Sequence, residues 1–244
     1  MERFAGRQLG RDATRERLAS ETFDLLVIGA GIVGARIALE AARTGASVAL
    51  LDAGDFGGAT SSASSKLIHG GLRYLPLGDV RLVRESHLER RALLDRVAPH
   101  LVRPLTFVLP AYRGGPHSAA AMAAGLLAYS ALSGFHHSRA RIVGARGARR
   151  LVPPLRTEGL VAAGVYRDAQ THDSRLALAT VKAAAGAGAA VANHMRVAAL
   201  DVGTGRVVAA LADGVRVRCR AAVNAAGPWV DEVRRLEDAR VQPM

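Results

Sequence analysis

The strongest constraint on the fold is a glycine-rich turn, Gly29–Gly34, that links an apolar run to a helical pattern. Residues 23–28 are mostly apolar and end at a glycine, as a buried parallel strand does. From Ile32 to Arg43, apolar residues recur at helical spacing. A second apolar run follows at residues 47–51. Together these segments predict one complete strand–helix–strand unit.

The turn has the spacing G-x-G-x-x-G, and each glycine has a physical role. Gly29 allows a tight turn, Gly31 lets the backbone approach a pyrophosphate, and Gly34 lets the helix pack closely on the strand. The helix N-terminus offers free N–H groups and the positive end of its dipole to phosphates. Asp52, eighteen residues after Gly34, can accept hydrogen bonds from an adenosine ribose. An acid there disfavours a 2′-phosphate, so the pattern favours FAD or NAD over NADP.

The chain of 244 residues carries a formal net charge of +12, and its basic residues are almost all arginine. Lysine occurs only at Lys66 and Lys182, a bias typical of coding composition rather than of separate functional choices. No dense basic run is interleaved with aromatic residues, so we expect no nucleic-acid partner. The charge favours anionic ligands and anionic membrane surfaces.

Cysteine usage and the apolar segments bound the cellular setting. Cys219 is the only cysteine, so the sequence predicts neither an internal disulfide nor a cysteine-based metal site, and we expect no metal. No apolar secretory segment follows Met1. The stretch at 118–138, uncharged apart from its histidines, is too rich in alanine and glycine to favour a membrane-spanning helix. We therefore expect a cytoplasmic protein.

The remaining segments give a coarse order of elements. Residues 1–22 are polar and basic, and we expect a solvated N-terminal extension in which 11–20 can form a short helix. Downstream, the patterns predict helices at 79–97, 173–187 and 229–238, strands at 105–109, 160–166 and 215–224, a helix and then a loop within 114–150, and a hairpin at 191–211.

A polar loop at residues 59–75 contains two adjacent glycines, Gly70 and Gly71. Its hydroxyls and backbone amides can hold a pyrophosphate or a flavin edge, and paired glycines let the backbone approach a flat ring. The same composition is typical of a surface loop with an isolated histidine, His69. The residues alone leave both interpretations open.

The run T-S-S-A-S-S-K-L-I-H-G-G-L-R-Y-L at residues 60–75 resembles a conserved block of the FAD-dependent glycerol-3-phosphate dehydrogenases. Further similarity to that family lies at residues 81–85, 98–101, 166–170, 173–176 and 223–229. The resemblance extends from about Phe23 to the end of the chain and is weakest over 112–150.

The resemblance implies an α/β fold. It further implies a Rossmann-like FAD-binding domain of the glutathione-reductase/amino-acid-oxidase type with an interleaved partial α+β substrate domain. The implied division is a basic extension at 1–22, a first part of the FAD-binding domain at 23–110, a partial substrate or cap region at 111–190, and a second part of the FAD-binding domain at 191–244.

The resemblance also implies a reaction. Non-covalent FAD takes part in the oxidation of sn-glycerol 3-phosphate to dihydroxyacetone phosphate, with a hydride passing from substrate C2 to flavin N5. The electrons then pass to a membrane quinone, or to oxygen in the oxidase type. The implied protein is peripheral at the inner face of the cell membrane, and its implied partners include a second copy of the chain.

The functional residues of the family carry over onto matching positions. Arg73 and Tyr74 match positions that reach the substrate phosphate, a task that suits the two parallel donors of arginine. His69 is the candidate catalytic residue. The implied FAD-binding residues are Gly29, Ala30, Gly31, Ile32, Gly34, Asp52, Ala53, Thr60, Ser61, Lys66, Leu67, Ile68, His69, Val197, Ala226 and Gly227.

Several of the singled-out residues have a purely structural alternative. His69 can be a packed histidine that satisfies a backbone carbonyl. We expect His87 at the surface, and we expect Trp229 to be a packing residue rather than a stacking partner. Asp168 and Asp173 can be taken for a catalytic carboxylate pair, although Asp173 also suits a helix cap.

The family pattern also bears on the extent of the chain. In the family the polypeptide continues beyond the point that corresponds to Met244, with further phosphate-binding arginines, a histidine near the flavin and a glycine-containing turn over the flavin ring. We therefore expect this sequence to be the N-terminal part only. Two alternatives to a working dehydrogenase stay open: an inactive FAD-binding fragment, and a module that lies on an anionic membrane through its basic face and residues 118–132.

Overall fold

The computed structural model describes residues 10–115, 118–135, 139–238, 240 and 242. Its helices are α1 (Arg11–Ser20), α2 (Ile32–Arg43), α3 (Val80–Ala92), α4 (Ala119–Leu132), α5 (Ala145–Leu151), α6 (Asp173–Gly186) and α7 (Val230–Glu237). Its strands are β1 (Thr22–Ile28), β2 (Val48–Leu51), β3 (Leu67–Ile68), β4 (Val102–Tyr112), β5 (Arg141–Gly144), β6 (Leu160–Thr171), β7 (Ala190–Ala192), β8 (Val197–Gly203), β9 (Arg206–Ala212) and β10 (Val215–Asn224). The chain forms two compact units: the first contains residues 1–64 and 173–244, and the second contains residues 65–172.

The first unit is built on a six-stranded sheet in the order β7-β2-β1-β10-β9-β8. β7, β2, β1 and β10 are parallel neighbours, while β9 and β8 are added with antiparallel pairing. Ile28 at the end of β1 is level with Leu51 on one side and with Asn224 on the other. The loops that follow these three strands therefore leave the sheet at one edge, where ligands bind in open parallel sheets.

Both faces of β1 are covered, which explains why its sequence is an apolar run. Val27 faces one layer and packs in a cluster with Val181 of α6 and several alanines of α2. Leu26 faces the other layer and packs in a cluster with Met195. The predicted α/β class is confirmed, and α2 has the predicted bounds of Ile32–Arg43.

The prediction of a solvated extension at residues 1–22 is wrong for the part that the structure describes. Leu18 of α1 is fully buried in the core of the first unit. Arg15 Nη1 also donates a hydrogen bond to Asp213 Oδ2 at 2.5 Å. A short helix with one buried leucine gives too weak a periodic pattern to predict its packing. Residues 1–9 lie outside the described residues.

The second unit is organised by β6. β4 pairs antiparallel with β6 from Val102 to Tyr112, and β3 and β5 pair with it as well. α4 packs over β6 at Gly164, where a Cβ atom would lie 2.2 Å from Leu126 Cδ1. The glycine therefore lets the helix approach the strand closely. In the described ranges, no helix has both the length and the apolar character needed to cross a bilayer.

The two units differ from the division predicted at residues 110 and 190. Most of β4 lies before the predicted boundary at residue 110, but β4 pairs along its whole length with β6, so it belongs to the second unit. α6 ends before residue 190 but packs on α2 in the first unit. Pairing between distant segments decides both cases, and a local hydrophobic pattern does not report it. β3 and β5 were not predicted, because two and four residues are too few to show alternation.

Leu18→Ala should destabilise the first unit, because it removes a fully buried side chain. Such large-to-small changes cost about 2–5 kcal/mol. Leu178→Ala on α6 is the matched control: Leu178 is 45% exposed, and its truncation should cost less than ~1 kcal/mol. Urea unfolding followed by circular dichroism measures both free energies. Equal effects of the two changes would contradict the packing of α1 on the sheet.

Candidate functional site

A cleft of about 790 Å³ opens at the carboxyl ends of the parallel strands in the first unit. Its walls are the loops that follow β1, β2 and β10, the loop at 57–61, the segment at 195–197 and one side of α7. This volume is typical of sites for small molecules and cofactors. Of the sequence-predicted residues, the cleft is lined by Gly29, Gly31, Ile32, Asp52, Ala53, Thr60, Ser61, Val197, Ala226 and Gly227.

The three glycines of the first turn have different surroundings. A Cβ atom on Gly34 would lie 1.9 Å from Gly29 O, so α2 meets the turn in direct backbone contact. Gly29 has φ +104°, and its Cβ atom would lie 2.4 Å from Ala225 O. A Cβ atom on Gly31 would meet only the flexible Ser61 Oγ, at 3.1 Å, among the described atoms. Packing therefore requires glycine at positions 29 and 34, whereas Gly31 borders the cleft.

Asp52 ties two of the cleft loops together. Its Oδ2 accepts a hydrogen bond from the Ala30 N–H at 2.7 Å, and its Oδ1 accepts one from the Gly54 N–H at 2.9 Å. Ala30 itself is fully buried and does not line the cleft, so its role is to fix the carboxylate. Each carboxylate oxygen has a second lone pair, so Asp52 can accept a further bond from a hydroxyl in the cleft.

The N-terminus of α2 opens into the cleft and can hold an anionic group. The Ile32 N–H donates a hydrogen bond to Ser61 Oγ at 2.9 Å. This amide is one of the first N–H groups of the helix, which have no partner within the helix and lie where the helix dipole favours negative charge. The side chains of Ile32 and Val33 are 38% and 64% exposed, which adds apolar surface beside this donor site.

The opposite wall is held by backbone contacts and by one asparagine. The Met195 N–H donates to Asp52 O at 2.8 Å, which links the start of β8 to the loop after β2. Asn224 Nδ2 donates to Val230 O at 2.8 Å, and its Oδ1 accepts from the Ala226 N–H at 3.2 Å. These bonds fix the loop after β10 against the start of α7.

Sequence reasoning missed the contribution of α7 to the cleft. Glu232, Val233 and Leu236 line it, together with Trp229 before the helix. Trp229 is 50% exposed, so only part of this residue packs against the protein and the rest faces the cleft. Val233 and Leu236 are three residues apart and share one helix face. That spacing within the predicted helix could have indicated an apolar face toward the sheet.

The other predicted residues belong to a loop of the second unit that follows residue 65 (the 66–77 loop). Leu67 and Ile68 form β3, and a 3₁₀ turn spans Leu72–Leu77. Arg73 Nη2 donates to Tyr74 Oη at 2.6 Å, and its guanidinium carbon lies 4.8 Å from the centre of the Tyr74 ring. The predicted set thus divides between the units, and Arg73 and Tyr74 are neighbours in the second.

His69 lies beside this pair. Its ring centre is 6.4 Å from that of Tyr74, and it lines a shallow concavity of about 410 Å³ between β3 and α3. Its Nδ1 is buried and has no hydrogen-bond partner among the described residues. At this nitrogen, His69 therefore does not form the hydrogen bond to a backbone carbonyl that the structural alternative requires.

A group of buried polar side chains lies beneath Gly70, and we call it the buried cluster: His87, Arg90, Tyr129 and Asp168. Arg90 Nη1 forms an ion pair with Asp168 Oδ1, and its Nη2 donates to His87 Nδ1 at 2.8 Å. Tyr129 Oη donates to Asp168 Oδ1 at 2.8 Å. The expectation that His87 is at the surface is wrong, because only 3% of the residue is exposed.

Burial sets the protonation of the buried cluster. Desolvation, with the nearby Arg90 charge, lowers the pKa of His87 to about 4, so its ring is neutral at pH 7. Because its Nδ1 accepts from Arg90, we assign the ring proton to Nε2. Burial and the Asp168 charge also raise the pKa of Tyr129 above its ordinary range. The phenol therefore stays protonated and donates to the carboxylate.

The proposed carboxylate pair has separate partners. Asp168 is held by Arg90 and Tyr129, whereas Asp173 at the start of α6 accepts a hydrogen bond from Ser64 Oγ at 2.6 Å. In the part of the chain that the structure describes, no group of histidine, cysteine, aspartate and glutamate residues is arranged to hold a metal ion.

Folding stability should decrease as the pH falls from 6.5 toward 4. The unfolded state protonates His87 near its ordinary pKa of 6.5, whereas the folded state resists until about 4, so the unfolded state binds more protons in this window. The full effect is at most ~3 kcal/mol. His87→Gln keeps an acceptor for Arg90 and should show a smaller decrease between pH 7 and pH 5 in urea unfolding. An exposed control, His100→Gln, should behave like the parent, and an equal decrease in all three proteins would contradict the assignment.

Comparison with known proteins adds the family. The model of the family described as FAD dependent oxidoreductase matches residues 24–244. The aerobic glycerol-3-phosphate dehydrogenase of Bacillus subtilis is 36% identical over 239 residues, which are 95% of this chain and 43% of that protein. The alpha-glycerophosphate oxidase of Streptococcus pneumoniae is 34% identical over 95% of this chain and 40% of its own length.

Solved structures agree with these matches. The structure of the glycerol-3-phosphate dehydrogenase from Bacillus halodurans, complexed with FAD, aligns with a TM-score of 0.72 at 30% identity, and covers 93% of this chain and 39% of that one. A proline dehydrogenase from P. horikoshii aligns with a TM-score of 0.68 at 16% identity, which shows a shared fold. The chain spans about two fifths of the length of the glycerol-3-phosphate enzymes it matches. The family match over residues 24–244 shows that this chain belongs to the FAD-dependent oxidoreductases, and the α/β sheet with its cleft at the carboxyl ends of the strands agrees with it.

Proposed function

We propose that this chain forms the FAD site and part of the substrate site of an enzyme that oxidises sn-glycerol 3-phosphate to dihydroxyacetone phosphate. The observation that carries the proposal is the 34–36% identity to glycerol-3-phosphate dehydrogenases and an alpha-glycerophosphate oxidase over 95% of the chain. The chain spans about two fifths of their length, so the complete reaction is proposed for a protein of their full extent.

The residues of the cleft fit FAD. Gly31 leaves space at the N-terminus of α2 that a side chain would begin to fill, which suits a pyrophosphate beside the Ile32 N–H. We assign Asp52 to the adenosine ribose, because its carboxylate is fixed and keeps free lone pairs. The other proposed contacts in the first unit are Gly29, Ala53, Thr60, Ser61, Val197, Ala226 and Gly227, and those in the second are Lys66, Leu67, Ile68 and His69.

Residues of the second unit supply substrate binding. We assign the substrate phosphate to Arg73, whose planar guanidinium can donate two parallel bonds to phosphate oxygens. Tyr74 supports it, because its hydroxyl accepts a hydrogen bond from Arg73 at 2.6 Å and its ring lies against the guanidinium. Together they present a positive, oriented group on the exposed side of the 66–77 loop.

When bound, FAD supplies the hydride acceptor for oxidation at substrate C2. The C2 hydroxyl must lose its proton to a base as the C2–H bond breaks, which leaves the ketone. We assign this role to His69, because its imidazole lies in the same loop as Arg73, with its ring centre 6.4 Å from that of Tyr74. Imidazole is suited to proton transfer near neutral pH.

We propose a membrane quinone as the electron acceptor and an anionic membrane surface as the place of contact. The net charge of +12 supports attraction to such a surface. The relatives at 35–36% identity are named dehydrogenases rather than oxidases, which supports an acceptor other than oxygen. The oxidase is nearly as similar at 34%, so oxygen is the competing acceptor.

Gly31→Ala should weaken FAD binding while the fold is retained. The new methyl group meets a single flexible atom at 3.1 Å but blocks the approach of the pyrophosphate, so we expect roughly a hundredfold lower affinity. Gly186→Ala, with no atom within 4 Å of its Cβ position, is the matched control and should bind FAD like the parent. Flavin fluorescence titration measures the affinity, and parental affinity in Gly31→Ala would contradict the site.

Arg73→Met should lower kcat/KM for glycerol 3-phosphate by roughly a hundredfold, because two charge-assisted bonds to the phosphate are lost. The FAD content should not change. Arg84→Met, an exposed arginine on α3, is the control and should keep parental kinetics. The assay uses a protein of the relatives' full extent and follows reduction of a soluble quinone analogue, with oxygen uptake measured in parallel. Absence of substrate-dependent reduction in that FAD-loaded protein would refute the proposed activity.

A further inference from the structure

We propose that Asp168 is a positioning residue: through the Gly70 amide it fixes the 66–77 loop and so places His69, Arg73 and Tyr74. This inference rests on the proposed function for the roles of those three side chains. It starts from an unusual observation, since Arg90 and Asp168 are charged yet only 2% and 4% exposed. Burying such a pair costs several kcal/mol of desolvation, so stability alone is a weak reason for its presence.

Three donors from separate segments converge on one oxygen of Asp168. The Gly70 N–H donates to Oδ1 at 3.1 Å, Tyr129 Oη donates to it at 2.8 Å, and Arg90 Nη1 forms the ion pair with it. Arg90 is held in turn by His87 Nδ1. The carboxylate therefore has one orientation, and the loop amide is bound to a fixed acceptor.

The strand register places Asp168 where the loop leaves the sheet. Ile68 in β3 pairs with Ala169 in β6, so Asp168 is the next residue of β6 in the direction in which the loop continues. One step before β3, Lys66 O accepts a hydrogen bond from the Thr171 N–H at 3.0 Å. The entrance of the loop is thus fastened to β6 on both sides of β3, with the second fastening at Gly70.

Gly70 has no space in which to move toward the buried cluster. A Cβ atom there would lie 2.4 Å from both His87 Cε1 and Tyr129 Oη. The next residue, Gly71, has φ +78°, and its carbonyl accepts a hydrogen bond from the Tyr74 N–H at 2.8 Å. These contacts at Gly70 and Gly71 therefore fix the backbone between His69 and Tyr74. A shift of Gly70 must displace the groups on either side of it.

Charge and geometry have separate contributions in this arrangement. The titratable or charged groups that face Asp168 are Arg90, His87, Tyr129 and, through the electrostatic effect that helps to raise its pKa to about 12, Tyr166. Tyr129→Phe removes one donor to the carboxylate and leaves the ion pair in place. Asp168→Asn keeps an acceptor for Gly70 but removes the negative charge that pairs with Arg90.

Hydrogen–deuterium exchange of the peptide that covers residues 66–77 tests the positioning directly. We expect Tyr129→Phe to raise its exchange rate roughly tenfold, the effect of losing about one buried hydrogen bond. Tyr166→Phe is the matched control: it removes the hydroxyl of the neighbouring ring, 5.8 Å away and edge-on to Tyr129, and should leave the rate unchanged. Asp168→Asn should raise the rate further. A parental rate in Tyr129→Phe would overturn the inference.

Kinetics separate positioning from a general loss of stability. We expect KM for glycerol 3-phosphate to rise roughly tenfold in Tyr129→Phe, with kcat changed less, because a displaced Arg73 weakens the ground-state contact with the phosphate. Faster exchange across β4 and α4 as well would mark general destabilisation and count against the inference. If a protein of the relatives' full extent, loaded with FAD, shows no response to glycerol 3-phosphate, the proposed function fails, and the exchange comparison by itself decides whether Asp168 positions the loop.

Discussion

The close contact between α2 and the end of β1 is the constraint on which the cleft depends. Gly34 lets the helix rest on Gly29 O at a separation that no side chain allows. Because the helix is held there, its N-terminus, with the Ile32 N–H bonded to Ser61 Oγ, borders the space beside the turn. The parallel pairing of β1 with β2 and β10 brings Asp52 and the loop after Asn224 to the same edge. This backbone contact and the parallel pairing of the strands therefore place three groups around one cleft: the N-terminus of α2, the Asp52 carboxylate and the loop after β10.

The two units solve the placement of functional groups in different ways. In the first unit, glycines and backbone amides position the functional groups, and two N–H donors fix the carboxylate of Asp52. In the second unit, the buried Arg90–Asp168 ion pair beneath Gly70 has this role, and its burial costs desolvation energy. Backbone contacts are sufficient where a helix starts beside the site, whereas the 66–77 loop is held by only two residues of β-pairing. A loop with so little sheet pairing depends on side-chain hydrogen bonds for its position.

The sequence allowed the prediction of those parts whose cause is local. The strand–turn–helix unit follows from spacing alone, and the helix at Ile32–Arg43 was predicted with its observed bounds. The burial of His87 was not predicted, because a helix with many charged residues indicates a solvated face. Val83, His87, Arg90 and Leu94 nevertheless recur at intervals of four, three and four residues, which is the spacing of one helix face. The missing information was the counter-charge on β6, which only long-range strand pairing brings to that face.

The division of the first unit between both ends of the chain has a consequence for its synthesis. β1 acquires its partner β10 only after about 200 further residues have been made, since Thr22 pairs with Arg218. At ribosomal rates of about 5–20 residues per second, this is a wait of roughly 10–40 s. During that time one edge of β1, a mostly apolar strand, has unpaired amides and carbonyls, which is a hazard for aggregation. The nascent chain is therefore exposed to misfolding while the second unit is being translated, and the cleft wall that follows β10 can form only after that.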